Sequence, residues 1–550
     1  MEPPVPTPAK TSNRWFAFEP VLDRYAIWIA LVLVLIASAR MIASYDSMSH
    51  TIDEPVHLAC GMEWLEKHTY TYEPHHPPLT RAFMALLPRI FGSHGHGIKD
   101  DTSEGLAILF ANGSEESTLA LARLGILPFF WIACWVTFAC TRWIAGATAA
   151  IISTFLITMT PAMLAHGSLA TTDMGLAALL WLAVYLGWRW IETPTVKGAI
   201  FFGAATGAGT LAKFSMLAFF PASVLVALFL WFVWARKERA SILSLVRERL
   251  PQLGITAVVA AVVIWAGYRF SFGPVPAYSI SLPAPEFWNG ILDVKKHDKL
   301  GHLTYLMGSV NTVGWPSFFV IALGVKTPVA ILVMGLAGIL LLLFTKYFGS
   351  RGWIAPSMII GVLVFSSFFS NIKIGTRHVL PVNVGLAIAG GCAAIWLLRR
   401  PLGSIYTQGA VYMALVTLLF NSVGAHPSYL AYFNFIAGEE PEEFLVDSDL
   451  DWGQDTRLLG KRLREVGAKQ VHFNPFTPGD LQKMYGFPPV DALDVNGPKP
   501  GWNAVSLTRL KLGLFGDTRY AYDPGFHFWP ERIAPVERVG HGILLIHVDR

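Results

Sequence analysis

Long, mostly apolar runs are the feature that most constrains how this 550-residue chain folds. A helix that crosses a membrane needs about 20 such residues, and with 53% hydrophobic and 15% charged residues the chain cannot be a soluble globular enzyme throughout. The sequence predicts a polytopic α-helical membrane protein with about 11 transmembrane helices. The runs lie at 25–45, 120–140, 147–164, 172–191, 197–211, 216–235, 252–268, 327–345, 353–369, 379–398 and 406–425, and residues 315–323 form a possible separate half-helix.

The distribution of basic residues predicts the orientation of these helices. Cytoplasmic connections carry an excess of Lys and Arg. With the N-terminus inside, the inner segments hold 15 Lys and Arg in 73 residues, against 11 in 144 residues of the outer loops. All 16 histidines then fall outside. The sequence therefore predicts a cytoplasmic N-terminus, an outer C-terminus and polar chemistry on the outer face.

The chain changes character after residue 425. Residues 426–550 have ordinary polarity and short β-like runs at 504–507 and 543–546. We expect a transmembrane domain over 1–425 and a small extracytoplasmic α/β domain over 426–550.

The net charge of +4 is too balanced for a nucleic-acid binder. Of the four cysteines, only Cys60 lies in a segment expected to meet solvent, so no disulfide framework is predicted.

The first outer loop, residues 46–119, carries the densest chemistry, with 11 acids and 7 histidines. Two parts are predicted to be helical, from Asp53 to Leu65 and from Leu79 to Ile90. Asp53 and Glu54 stand where the first of these helices starts. They either cap the helix, or one serves as a general base that takes a proton from an acceptor hydroxyl. The local spacing does not decide between these interpretations.

Further polar residues lie at predicted outer helix ends. Asp173 at the outer end of the fourth span either caps that helix or faces the same cavity as Asp53. Basic groups on this side either reach lipid headgroups or bind an anion, and the anion expected there is a lipid phosphate. These candidates are Lys213, Lys326, Lys373, Arg377 and His378, with His76 and Arg81 as further donors.

Two stretches match metal-binding motifs only in part. The stretch Asp447–Gly453 begins like a calcium loop, but its glycine is one place late and Leu458 stands where the loop needs its twelfth ligand. His94 and His96, with Asp100 and Asp101, have no supporting metal-ligand pattern. Neither stretch is predicted to bind a metal.

Taken together, these segments resemble the GT-C superfamily of lipid-carrier-dependent glycosyltransferases, in the group of protein O-mannosyltransferases and lipid A aminoarabinose transferases. The resemblance spans essentially the whole chain. It rests on Asp53-Glu54-Pro55, His76-Pro77-Pro78-Leu79, Leu169-Ala170-Thr171-Thr172-Asp173, Gly375-Thr376-Arg377-His378-Val379-Leu380-Pro381 and Leu450-Asp451-Trp452-Gly453-Gln454-Asp455.

The resemblance implies an enzyme of a bacterial-type plasma membrane that moves a sugar from a polyprenyl phosphate to an acceptor hydroxyl on the outer face, with inversion. It implies that Asp53 activates the hydroxyl while Glu54 and Asp173 shape the cavity. Arg377 and Lys373 are the first candidates for the phosphate. The acceptor is a protein, a lipid or a glycan. Some members bind a divalent metal and others do not, so a metal at Asp53, Asp173 or the histidines is left open.

One departure from the family and three alternatives remain. Aminoarabinose transferases tend to have a lysine in the first loop where this chain has His75-His76-Pro77-Pro78, which puts transfer of a charged amino sugar in doubt. A ligase or polymerase of lipid-linked glycans is an alternative with the same outer-face groups. A secondary transporter fits less well, because its ionisable residues would lie near the bilayer midplane. A noncatalytic scaffold leaves the convergence of acids and bases unexplained.

Overall fold

The computed structural model describes residues 15–111, 113, 115–234, 241–345, 347–400, 404–494, 496–515, 518–519 and 529–549. The predicted inner segments 1–24 and 235–250 therefore lie partly outside the described residues. In the first half of the chain the α-helices are α1 (Trp15–Ala43), α2 (Glu54–Glu66), α3 (Pro78–Ile90), α4 (Asp101–Phe110), α5 (Glu116–Leu124), α6 (Leu127–Ala145), α7 (Ala147–Thr158), α8 (Pro161–Gly167), α9 (Asp173–Glu192), α10 (Val196–Ala212), α11 (Met216–Trp234) and α12 (Ser241–Gly267).

The second half mixes helices with short strands. Its α-helices are α13 (Pro285–Leu300), α14 (Phe318–Lys326), α15 (Val329–Phe344), α16 (Ile354–Phe368), α17 (Pro381–Leu398), α18 (Ser404–Gly424), α19 (Thr456–Glu465), α20 (Leu481–Tyr485) and α21 (Leu507–Lys511). Its strands are β1 (Phe272–Val275), β2 (Ile280–Pro283), β3 (Thr304–Leu306), β4 (Ser309–Asn311), β5 (Val471–Phe473), β6 (Val490–Asp491), β7 (Gly501–Ser506), β8 (Leu514–Phe515), β9 (Thr518–Arg519), β10 (Glu537–Val539) and β11 (Ile543–Val548).

The helices confirm an integral membrane protein. Within the described residues, seven helices are long and apolar enough to cross a membrane, or eight if α7 and α8, which meet at 65°, form one broken span. Helices occupy all eleven predicted apolar runs, but α10 has 17 residues and α15 has 16. At about 1.5 Å per residue these two are short for a hydrocarbon core of about 30 Å. The count of eleven therefore stays a prediction.

Helix α17 lies at the centre of the bundle and packs against α6, α7, α15 and α16. Small residues allow this close approach, because without bulky side chains the helix backbones can touch. A Cβ built on Gly338 in α15 would lie 2.0 Å from the Ala389 carbonyl oxygen of α17. On another face, a Cβ on Gly391 would lie 2.0 Å from the Ser153 hydroxyl of α7. Glycine at these positions therefore sets the spacing of the bundle.

The first loop, residues 46–119, folds into three helices, α2 to α4, and ends in the first turn of α5. Helices α2 and α3 match the two predicted from sequence within one residue at each end. Helix α2 packs on both α3 and α4 through glycines: a Cβ on Gly61 would meet the Arg81 carbonyl, and one on Gly105 would meet the Pro55 carbonyl. The loop is thus a packed unit that holds Asp53 at a fixed place.

The chain after residue 470 contains a five-stranded mixed sheet in the order β10-β11-β7-β5-β6. The predicted β-like runs form the antiparallel pair β7 and β11, with Leu545 opposite Ala504. Strand β5 runs parallel to β7 and β6. Leu459 and Leu463 of α19 pack in the core of this sheet. The domain boundary at residue 425 stays a prediction.

The four cysteines are free thiols and are buried. The expectation that Cys60 meets solvent is wrong: it is fully buried in α2, in an apolar cluster with Tyr70, Leu211 and Phe214. Burial raises the pKa of the Cys60 thiol to about 12. The first loop packs against the end of α10 and the residues that follow it, and this contact removes Cys60 from water.

Candidate active site

Asp53 and Arg377 form an ion pair, although 324 positions separate them in sequence. Asp53 immediately precedes α2, and Arg377 lies in a short 3-10 helix, Thr376–Val379, just before α17. Arg377 Nη1 donates to Asp53 Oδ2 at 2.8 Å. The Asp53 carboxylate makes no capping bond to its helix. The capping interpretation of Asp53 is therefore wrong in this structure.

Asp173 and Lys213 form a second, deeper ion pair. Asp173 is the first residue of α9 and Lys213 follows the last residue of α10, so two helix ends bring them together. Lys213 Nζ lies 2.5 Å from Asp173 Oδ1, and Arg377 Nη1 lies 3.9 Å from Asp173 Oδ2. The exposed side-chain fractions are 31% for Asp53, 10% for Arg377 and 1% for Asp173. Asp53 is therefore the more accessible of the two carboxylates in this group of four charged residues.

Several buried polar atoms around these pairs have no hydrogen-bond partner among the described residues. Buried polar groups in proteins are normally paired with protein or water, so such a concentration indicates a place for water or a polar ligand. The atoms are His166 Nδ1, Thr171 Oγ1, Asp173 Oδ2, Arg377 Nε, His378 Nε2 and Ser448 Oγ.

Glu54 occupies a different environment from its neighbour Asp53. Its carboxylate accepts two bonds from Arg123 of α5, each 2.9 Å long. It also accepts the amides of Thr51 and Ala170, both at 2.8 Å. Burial acts to raise the pKa of Glu54, but the Arg123 guanidinium holds it below the usual value. Glu54 thus braces the first loop against the segment that leads to Asp173, and its geometry does not match the expected catalytic placement.

His76 and Arg81 also differ from the phosphate-binding roles expected of them. The buried Arg81 guanidinium forms an ion pair with Glu73, and its Nε donates to His57 Nδ1 at 3.0 Å. The His76 ring lies 5.2 Å from the His57 ring. Burial and the Arg81 charge lower the pKa of His57 to about 4, and burial holds that of His76 well below its usual value. These imidazoles are neutral at pH 7, and Arg81 is occupied within the loop.

Lys326 and Lys373 are engaged by backbone carbonyls. Lys326 Nζ donates to the carbonyls of Leu430 at 2.7 Å and Asp449 at 2.5 Å. Lys373 Nζ donates to the Val313 carbonyl at 3.1 Å and to the Ser370 carbonyl. Both lysines therefore stabilise loops through these bonds. The expectation that Lys373 binds the donor phosphate together with Arg377 finds no geometric support.

His378 is adjacent to Arg377 but carries no charge at pH 7. Burial, followed by the nearby charges of Lys213 and Arg377, holds the pKa of His378 well below its usual value. Its Nε2 atom is buried without a partner. His378 can therefore offer a hydrogen bond at the site, whereas the sequence suggested a cation.

The residues do not fit a metal centre. In the part of the chain that the structure describes, no group of three or more His, Cys, Asp and Glu side chains could hold a metal ion. The nearest partners of Asp53 and Asp173 are cations, which oppose a bound metal. His94 is paired with Glu66, and the Asp100 carboxylate caps α4 by accepting the Ser103 amide.

Sequence reasoning missed three residues of this region. Trp452 lies under Arg377, with the guanidinium carbon 4.2 Å from the ring centroid. Asp449 accepts the amide and hydroxyl of Thr376, and Arg123 pairs with Glu54. The acids concentrated between residues 447 and 455 are the sequence feature that could have pointed to Trp452 and Asp449. No sequence feature points to Arg123, because a single arginine in an amphipathic helix usually faces solvent.

Comparisons with known proteins identify the fold. No family model matches the chain, and no curated protein matches it by sequence. Among solved structures, ArnT from Cupriavidus metallidurans bound to undecaprenyl phosphate is 14% identical with a TM-score of 0.51, over 94% of this chain and 97% of that chain. This likeness shows that the chain has the same fold as ArnT over nearly the whole of both chains, and the fold expected from the sequence is confirmed.

Two other structures are similar over smaller parts of the chain. The oligosaccharyltransferase of Archaeoglobus fulgidus in its apo form is 15% identical with a TM-score of 0.43, over 76% of this chain and 56% of that chain. The Saccharomyces cerevisiae protein O-mannosyltransferase Pmt1-Pmt2 complex bound to the sugar donor is 16% identical with a TM-score of 0.35, over 44% and 33%.

Proposed function

We propose that this protein is an integral membrane glycosyltransferase that moves a sugar from a polyprenyl-phosphate donor to an acceptor hydroxyl on the extracytoplasmic face. The observation that carries the proposal is the chain of charges from Asp53 through Arg377 to Asp173 and Lys213. It places an accessible carboxylate beside a guanidinium that has an unpartnered donor. A general base and an anion-binding group side by side are what transfer from a phosphate leaving group requires.

In the proposed reaction Asp53 accepts the proton of the acceptor hydroxyl. The hydroxyl oxygen then forms a bond to the anomeric carbon as the bond from that carbon to the phosphate oxygen breaks, so the configuration inverts. The electron pair of the broken bond leaves with polyprenyl phosphate. Arg377 stabilises the negative charge that develops on this leaving group. His378 adds a hydrogen bond through its unpartnered Nε2.

The remaining site residues have supporting roles in the proposal. Asp173 and Lys213 position Arg377, because the Asp173 carboxylate lies between the charged groups of Lys213 and Arg377. Glu54, His76, Arg81, Lys326 and Lys373 maintain the loops around the site through the bonds described above. We propose no step through a metal, since the cations beside Asp53 and Asp173 disfavour one.

The donor class is supported by fold and charge together. The ArnT structure with the same fold holds undecaprenyl phosphate, and the Arg377 guanidinium with its unpartnered Nε suits a lipid-linked phosphate at a membrane surface. We also propose about eleven spans, a cytoplasmic N-terminus, and the sheet after residue 470 on the outer face. The acceptor is a protein, lipid or glycan hydroxyl.

The test is to compare cells with and without the gene by mass spectrometry of polyprenyl-phosphate sugars and surface glycoconjugates. Complementation uses wild type, Asp53→Asn, and Asp46→Asn as a matched control, since Asp46 is an exposed acid of the same loop. We expect loss of one sugar modification with accumulation of its lipid donor, restored by wild type and Asp46→Asn only. Transfer of a preassembled chain would instead support a ligase. An unchanged profile would overturn the proposal.

A further inference from the structure

The segment Asp447–Asp455, here called the acidic segment, contacts the first outer loop next to Asp53. The amide of Ile52 donates to the Trp452 carbonyl at 3.2 Å. The amide of Ser49 donates to the Gln454 carbonyl at 3.0 Å. The acidic segment therefore fixes the backbone on which Asp53 stands.

The same segment also holds the backbone before Arg377. The Asp449 carboxylate accepts the Thr376 amide at 3.1 Å and the Thr376 hydroxyl at 2.6 Å. A Cβ built on Gly375 would lie 2.4 Å from the Ser448 hydroxyl, so only glycine allows this approach. One short segment thus sets the positions of Asp53 and Arg377 relative to each other.

Trp452 makes the third contact, and it is to the Arg377 side chain itself. The indole is 1% exposed, and its ring centroid lies 4.2 Å from the guanidinium carbon. A guanidinium donates only in its own plane, so the ring that covers its face decides where its N–H groups are aimed. One edge is directed to Asp53 through Nη1, while the buried Nε has no partner among the described residues.

We propose that Trp452 is a positioning residue that fixes the plane of the Arg377 guanidinium so that its Nε edge receives an oxygen of the donor phosphate. This inference rests on the proposed function. In this inference the acidic segment aligns Asp53 with Arg377, and the Trp452 indole orients the Arg377 guanidinium. Loss of the indole leaves Arg377 charged and bonded to Asp53 through Nη1, but nothing then covers the face of the guanidinium. The direction of the Nε edge is no longer fixed, so donor affinity falls while the base remains.

The experiment measures binding of undecaprenyl phosphate to full-length protein in nanodiscs, together with KM for the donor and kcat. The variants are Trp452→Phe, Trp452→Leu, Arg377→Ala and the double variant Trp452→Leu/Arg377→Ala. Trp396→Leu is the matched control, because the Trp396 ring also stacks on an arginine, at 3.8 Å from Arg400, in α17 away from the site. Inorganic phosphate is a separate arm that distinguishes a lipid-linked phosphate from a free one.

We expect Trp452→Leu to weaken lipid binding and raise KM by about 10-fold, as the strength of cation–π contacts suggests. We expect kcat to fall as well, because Arg377 also stabilises the charge that develops on the leaving phosphate. Trp452→Phe keeps a ring and should lose about 2-fold. Because the indole acts through Arg377, the leucine substitution should add less than about 2-fold in the Arg377→Ala background. A merely structural role of Trp452 would give the full loss in both backgrounds.

The outcomes separate this inference from the proposed function. If wild type binds undecaprenyl phosphate but Trp452→Leu behaves like Trp396→Leu, or the two losses add fully, the role of Trp452 is overturned alone. If wild type neither binds the lipid nor transfers sugar, the proposed function fails and this inference with it. Tighter binding of inorganic phosphate than of the lipid would overturn the assignment of the Nε edge to the lipid-linked donor. Trp452→Phe keeps the test valid if the leucine variant does not fold.

Discussion

At the scale of single residues, two adjacent acids show how strongly environment decides a role. Asp53 is partly exposed and touches one cation, whereas Glu54 is buried with five hydrogen bonds. Nothing in the sequence separates them, because both stand at the start of one helix. The partner that distinguishes Glu54 is Arg123, 69 positions away.

The different settings predict different losses on substitution. Asp53→Asn should reduce turnover by about 10²- to 10⁴-fold, the usual contribution of a general base, and leave thermal stability unchanged. Glu54→Gln leaves Arg123 buried without a charged partner, which typically costs about 3–5 kcal/mol. Turnover and thermal unfolding in one detergent measure both. A stability loss in Asp53→Asn as large as in Glu54→Gln would contradict this division.

Asp447 should make stability depend on pH. Burial raises its pKa to about 7, although Arg377 opposes this and Asp53 and Asp449 also lie near. An unfolded aspartate has a pKa of about 3.9. Between these values the folded protein keeps a proton that the unfolded chain has lost, so the free energy of unfolding falls as pH rises through this window.

Asp447→Asn cannot ionise and should escape this loss. Its stability gain over wild type is expected to be larger at pH 8 than at pH 5. Thermal unfolding of the two proteins in the same detergent at both pH values measures the difference. An equal difference at pH 5 and pH 8 would show that the Asp447 carboxyl is not held protonated in the folded protein.

At the scale of helices and strands, the sequence predicts where elements occur better than which residues they contact. Helices α2 and α3 followed from helix-start signals, and strands β7 and β11 from short β-like runs. Asp53, Asp173 and Arg377 were expected at one outer face, and the structure brings them together. The pairings of Lys326 and Lys373 with carbonyls, and the contact of Trp452 with Arg377, depend on long-range packing that no local pattern contains.

The spacing of α15 and α17 provides a test of helix packing. Gly338→Ala would place a Cβ 2.0 Å from the Ala389 carbonyl oxygen and should lower thermal stability. Gly409→Ala in α18 is the control, because nothing lies within 4 Å of its Cβ, and alanine favours a helix over glycine by about 0.5–1 kcal/mol. Unfolding temperatures should therefore move in opposite directions. Equal effects would mean that α15 and α17 are not in close contact.

At the scale of the whole molecule, the buried cysteines allow the orientation to be tested directly. The four native thiols are all buried, so a membrane-impermeant maleimide should not label the folded wild type. Val536→Cys places a thiol at a position that is 57% exposed, close to β10. Ser350→Cys places one in the exposed connection between α15 and α16.

In intact cells we expect Val536→Cys to be labelled and Ser350→Cys to be labelled only after permeabilisation. This result follows from the proposed orientation, with the connection between α15 and α16 inside and the C-terminal sheet outside. Labelling is read by mobility shift, with denatured wild type as the positive control. The reverse pattern would invert the topology and place the candidate site on the cytoplasmic face.

The contact between Ser49 and Gln454, 405 residues apart, has a consequence for biosynthesis. At about 5–20 residues per second, a ribosome needs roughly 20–80 s to make the intervening chain. Asp53 is synthesised long before Arg377, and the acidic segment is made later still. Under the proposed function, no nascent chain that ends before Arg377 can transfer sugar, and Asp53 lacks its cationic partner until Arg377 has been made.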